Sequence, residues 1–142
     1  MNVPEVYFEQ IVKEIATVDG LWKKSVSLEE KLYYFSAIFG TINRVINFSC
    51  DPLLVFVHQI LQEVHQALTN RLKASKNPAA ESFLVVPPEM VDALFAYTHE
   101  LKAALESKQD SLVWMILQKM SNLAYATTGN GYYLYLKGEI RL

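Results

Sequence analysis

Leu28, Leu32, Phe35, Phe39, Ile42 and Ile46 follow one another at steps of four, three, four, three and four residues, and no other feature constrains the fold of this chain as strongly. That spacing lines the six side chains along one stripe of an α-helix, whereas a strand, with its period of two, would scatter them over both faces. Such a stripe is buried against other helices crossing at a shallow angle, the geometry of a bundle. Ser27 and Glu30 open the helix as a capping box: the hydroxyl accepts the N3 amide and the carboxylate reaches back to the cap amide. Tyr34, Ile38 and Val45 lie about 100° to one side, so two neighbouring helices are expected. Gly40 is expected to admit a close backbone approach.

The same reading extends along the chain. Pro4 suits a helix start, and Phe8, Ile11, Ile15 and Val18 make an apolar face that Asp19-Gly20 is expected to end, with Leu21 and Trp22 folding back. Asp51-Pro52 signals a third start, an aspartate cap ahead of a first-turn proline, followed by the stripe Val57, Leu61, Val64 and Leu68 with Gln59, Gln66 and Asn70 opposite. Asn77-Pro78 and Pro87-Pro88 bracket Phe83 to Val86, which predicts a long ordered loop lying extended across one end of the bundle. Met90, Leu94, Tyr97, Leu101 and Leu105 mark a fourth helix, and Ser107 to Asp110 turns the chain into a fifth. That fifth helix carries Val113, Ile116, Met120 and Leu123 on one side and Trp114 and Tyr125 nearly opposite, the pattern of a central helix or one shared with a second subunit. After Gly129-Asn130-Gly131, Tyr132, Leu134 and Leu136 alternate with Tyr133, Tyr135 and Lys137, which predicts a small β-hairpin.

The expected fold is therefore all-α: one domain over residues 1–142, an antiparallel bundle of about five helices near 4–18, 28–48, 52–74, 88–106 and 110–127, with a short C-terminal β-hairpin near 132–142. A chain of 142 residues can bury about 70% of its unfolded surface, enough for an independent core. Thirteen basic residues against fifteen acidic ones leave a net charge of −2, which supplies no field to gather nucleic acid or an anionic bilayer. Cys50 is the only cysteine, so no intramolecular disulfide and no multi-thiolate zinc site can form, and a reducing cytoplasm is the expected compartment. Met1 to Gln10 carry no basic segment ahead of an apolar run, and no stretch of 18 apolar residues occurs, so neither export nor membrane insertion is expected.

Few residue groups could carry chemistry. His58 and His65, seven apart, share the flank of the third helix's stripe and are the best metal candidates. Gln62 stands three residues before His65 where a di-iron bundle needs glutamate, and His99 is expected to point away from the core. Asp92 and His99 align on the outside of the fourth helix like a base and its orienting carboxylate, but no nucleophile accompanies them, and Cys50 reads as a half-buried packing residue. Lys23-Lys24 and the group Arg71, Lys73 and Lys76 are too short for a nucleic-acid patch and read as solvated helix ends, favoured by the helix dipole.

By elimination, no catalytic residue and no cofactor is expected. The leading reading is a non-enzymatic interaction or regulatory module that forms a homo-oligomer or joins a larger complex, with Trp114, Tyr125, Tyr132, Tyr133 and Tyr135 as interface candidates. A metal-dependent enzyme or small-ligand binder using the bundle interior is the second reading, and a nucleic-acid-associated accessory protein the third.

Overall fold

The aspartate cap acts as written, while of the capping box only the hydroxyl half forms, with no bond from the Ser27 amide to the Glu30 carboxylate among the described residues. Ser27 Oγ accepts the Glu30 amide at 3.2 Å, and Asp51 Oδ1 accepts the amides of Leu53 and Leu54 at 3.0 and 3.1 Å. The computed structural model describes residues 1–77 and 86–142. Within them lie six helices: α1 (Glu5–Lys24), α2 (Leu28–Ile46), α3 (Pro52–Ser75), α4 (Pro88–Ser107), α5 (Asp110–Ala126) and α6 (Gly129–Leu136). None of these helices is long and apolar enough to cross a membrane. The expected extended stretch from Phe83 falls outside the described residues except for Val86, which packs half-buried against the core.

The helix stop at Asp19-Gly20 does not occur. Trp22 lies four residues beyond Val18 and so prolongs the buried stripe, its ring meeting Phe35 at 6.4 Å and Phe95 at 5.9 Å. Burying an indole outweighs the cost of about 1 kcal/mol for a helical glycine. Gly40 admits no close approach either, since a Cβ added there would meet nothing within 4 Å.

Five helices close a ring in which α1 packs on α2, α2 on α3, α3 on α5, α5 on α4 and α4 on α1. An odd ring cannot alternate directions all the way round, so one neighbouring pair must run parallel. Glu5 pairs with Lys108 across α1 and the end of α4, and Lys76 with Glu29 across α3 and α2, so those pairs are antiparallel. The parallel pair is α3 and α5: Phe56 meets Trp114 near their starts, and Arg71 reaches the Thr127 carbonyl at their ends. Phe35, Ile38, Ile42, Leu54, Leu61, Leu68, Met90, Leu94 and Leu101 are fully buried where the stripes converge.

The predicted C-terminal β-hairpin is absent, and no strand occurs among the described residues. Residues 129–136 form α6 instead, packed on α5. Five consecutive Tyr and Leu residues fit either period, and a tertiary contact and a local cap go with the helix. Arg71 holds the ring of Tyr132, its guanidinium carbon 3.6 Å from the ring centroid. Gly138, at φ 81°, then ends the helix rather than turning a hairpin. The Glu139 amide donates to the Leu134 carbonyl at 2.9 Å and the Gly138 amide to the Tyr135 carbonyl at 3.0 Å, the paired bonds of a Schellman cap.

Candidate interaction surface

The outer face of the parallel pair α3 and α5 leaves an apolar groove open to solvent. Trp114 is 50% exposed and Met115 56% exposed, side by side on the first turns of α5. Val113, Ile116, Met120 and Leu123 occupy the inward stripe of that helix, and its 100° repeat turns Trp114 and Met115, which lie between Val113 and Ile116, outward. Trp114 leans on Phe56 of α3, the ring centroids 5.0 Å apart, and with Ile60 and Leu117 they floor a groove between the helices. The groove continues past Ser121 to Ala67, Ala124 and Tyr125, which is 49% exposed at the far end. Its rim is polar but nearly uncharged: Gln118, Gln66 and Asn70, with Glu63 the one ionisable carboxylate lining it. Aromatic and methionine side chains with few charges are the composition of interface cores.

The five aromatic candidates divide into three groups. Trp114 and Tyr125 stand at opposite ends of this one groove. Tyr132 is buried under Arg71 and stacks on Tyr135 at 6.1 Å, so both serve to dock α6 on its own bundle. Tyr133 projects outward from α6 at 60% exposure and belongs to neither group. Phe56 and Met115 were not singled out from the sequence; the signal for both was their place one or two residues off the stripes of helices that face each other.

Tyr135 donates its hydroxyl to Glu89 Oε1 at 2.6 Å, tying α6 to the first turn of α4. Partial burial, then the hydrogen bond to Glu89, pushes the Tyr135 pKa from the ordinary 10.0 up to about 12. A phenol raised in the fold stabilises it fully below the unfolded value and loses that contribution as pH climbs through the folded one. Docking of α6 is therefore expected to weaken between pH 10 and about 12, where wild type should lose near-UV circular dichroism that a Tyr135→Phe variant retains. Identical alkaline profiles for the two proteins would show that the Glu89 bond contributes nothing.

The histidines serve as packing and pairing residues. His58 and His65 both stand against Phe39, with ring centroids 6.1 and 5.3 Å away, on the boundary between α2 and α3. Burial holds the pKa of each below the usual histidine value, favouring the neutral ring. His65 Nε2 lies 3.1 Å from the Leu32 carbonyl, which can only accept, so that nitrogen carries the proton. No group of three or more His, Cys, Asp or Glu side chains able to hold a metal occurs among the described residues. His99 faces out of α4 but not alone: its Nε2 lies 2.6 Å from Asp19 Oδ1 of α1, not Asp92, in a close contact too bent for a hydrogen bond. Cys50 is exposed in the turn before α3, not half-buried.

Arg71 is the largest departure from expectation. It is 6% exposed, not a solvated helix end. Its position three residues after Leu68 and seven after Val64 continues the buried stripe of α3, a signal the sequence carried and its charge concealed. No protein-family model, curated protein or solved structure gives a significant match to the chain.

Proposed function

We propose that this protein is a non-enzymatic interaction module that self-associates through the outer groove of α3 and α5. The observation that carries the reading is the half-exposed pair Trp114 and Met115 beside Phe56, a contiguous apolar cluster on a face almost free of charge. Removing such side chains from water is favourable by about 25 cal/mol per Å². A second copy is the occupant the charge pattern favours. A two-fold axis lays a surface on itself, which brings like charges together wherever the surface is charged, and here only Glu63 lines the groove. An antiparallel arrangement about that axis sets the Trp114 end of one groove against the Tyr125 end of the other. With a single cysteine and no membrane-crossing helix among the described residues, the cytoplasm is the compartment where we place this activity.

Light scattering coupled to size exclusion, across a concentration series reaching about 100 μM, tests the reading. The wild type is expected to run as a dimer, and Trp114→Glu and Met115→Glu as monomers with unchanged helix content. Both changes place a carboxylate inside the contact, where it would lose its water without gaining a partner. A wild type that stays monomeric across the range, or glutamate variants that still dimerise, would overturn it.

A further inference from the structure

We propose that the cleft between the start of α2 and the last turns of α3 binds a small organic anion with a flat apolar body, an aromatic carboxylate. This site is separate from the α3/α5 groove and does not depend on the self-association reading. The cleft encloses about 280 Å³, room for a molecule of two fused rings rather than a peptide or a nucleotide. Leu32 and Leu72 give it an apolar lining, and Tyr33, mostly exposed, stands at its edge as a wall on which a ring can stack.

Its polar groups are few and fixed in place. The His65 imidazole is held by its Nε2 contact to the Leu32 carbonyl at 3.1 Å and lies parallel to the Phe35 ring, at 6.3 Å and 9°. One turn further along α3, the Thr69 hydroxyl oxygen is shut off from solvent and has no hydrogen-bond partner among the described residues. Buried hydroxyls almost always have a partner, so this one marks a place where an acceptor is missing. A carboxylate oxygen in the cleft supplies one after a χ1 rotation of the threonine.

Charge selects an anion. Lys76 is neutralised by Glu29 across the mouth of the cleft, whereas Lys73 has no ion pair among the described residues. With the imidazole neutral, the lining carries one unmatched positive charge. The helix dipoles do not reverse this, because the antiparallel pair brings the negative end of α3 beside the positive end of α2 and the two offset each other. The free Lys73 repels a metal ion, and a lone free lysine cannot hold a polyphosphate.

Titration of isotope-labelled protein with 2-naphthoate, followed by amide chemical shifts, tests the site, with 2-naphthylmethanol as the neutral match. Naphthoate is expected to give saturable shifts centred on Leu32, His65, Thr69 and Lys73, and the alcohol to bind at least about tenfold more weakly. Lys73→Met, on an exposed side chain, should fold normally and weaken naphthoate about tenfold, and Thr69→Val should weaken it by a smaller factor. The proposal is overturned by an absence of saturable binding, by shifts centred on Phe56 and Trp114 instead, or by affinity that neither Lys73→Met nor the neutral alcohol changes.

Discussion

Gly131→Ala is expected to force α6 off the bundle and to lower stability by about 3 kcal/mol, a fall in Tm on the order of 10 °C for a chain of this length. A Cβ at position 131 would lie 1.8 Å from the Tyr125 carbonyl oxygen and 2.6 Å from its carbon, both backbone atoms of α5. That carbonyl cannot swing aside cheaply, because it accepts the Thr128 amide at 3.1 Å and the Thr128 hydroxyl at 3.0 Å. Relief comes only by moving α6, and Tyr132, the next residue, is then drawn away from Arg71. Gly20→Ala is the control: nothing lies within 4 Å of its added Cβ, and within α1, one turn from its end, the change should stabilise by about 0.5 to 1 kcal/mol. Thermal unfolding by circular dichroism measures both. If Gly131→Ala melts with the wild type, Gly131 does not pack against the Tyr125 carbonyl.

Arg71→Met is expected to cost about 2 to 3 kcal/mol, more than a surface arginine could account for. Methionine reproduces the aliphatic stem of Arg71 but neither stacks a charge on the Tyr132 ring 3.6 Å away nor donates to the Thr127 carbonyl at 3.4 Å. Burial pulls the guanidinium pKa down, with Tyr132 acting against it, yet the side chain stays charged at any pH at which the protein folds. A buried cation loses its hydration, and a ring face that meets it directly contributes about 2 kcal/mol or more, against half of that or less in water. A double-mutant cycle in urea with Tyr132→Leu isolates this pair, and a coupling near 2 kcal/mol is expected. Arg71→Lys should lose most of it, because an ammonium cannot lie flat on the ring. Additive single substitutions would mean that α6 is held by apolar contact alone.

These two positions also divide what could be read along the chain from what could not. The stripe from Leu28 to Ile46, the caps at Ser27 and Asp51 and the prolines at 52 and 88 are local signals whose meaning does not depend on the rest of the molecule. The helices they start form where periodicity and capping place them. Asp19-Gly20 is equally local and failed as a stop, because Trp22 gains more from the core than the glycine loses in the helix. Tyr132 to Leu136 was ambiguous for a different reason: five large residues in succession satisfy a period of two and one of 3.6 alike.

The candidate surface was partly legible. Trp114 and Tyr125 stood out because they oppose the inward stripe of α5, but Phe56, their neighbour across the groove, could be found only once α3 was known to lie beside α5. The pairing of α3 with α5 rather than with α4, its successor in the chain, is itself a property of the closed ring. The cleft at His65 draws on two helices, and its unpartnered Thr69 hydroxyl is invisible in a sequence, where every threonine reads as satisfied by its own helix.

The sequence by itself determined that the chain is helical, where α2, α3, α4 and α5 begin and which stripe of α3, α4 and α5 is buried, since these follow from the period of the side chains and the chemistry of the caps; in α2 burial centres on Phe35, Ile38, Ile42 and Val45 and leaves Leu28, Phe39 and Ile46 half-buried. Tertiary structure decided that 129–136 is a helix and that one pair of helices runs parallel, and it made a core residue of Arg71, whose charge hid its place on the α3 stripe. Each of those outcomes depends on partners distant along the chain: Tyr132 for Arg71, the Tyr125 carbonyl for Gly131, and the closure of five helices for the ring. A local pattern records what a segment can bury, but which of two allowed conformations it takes is set by the surface it meets.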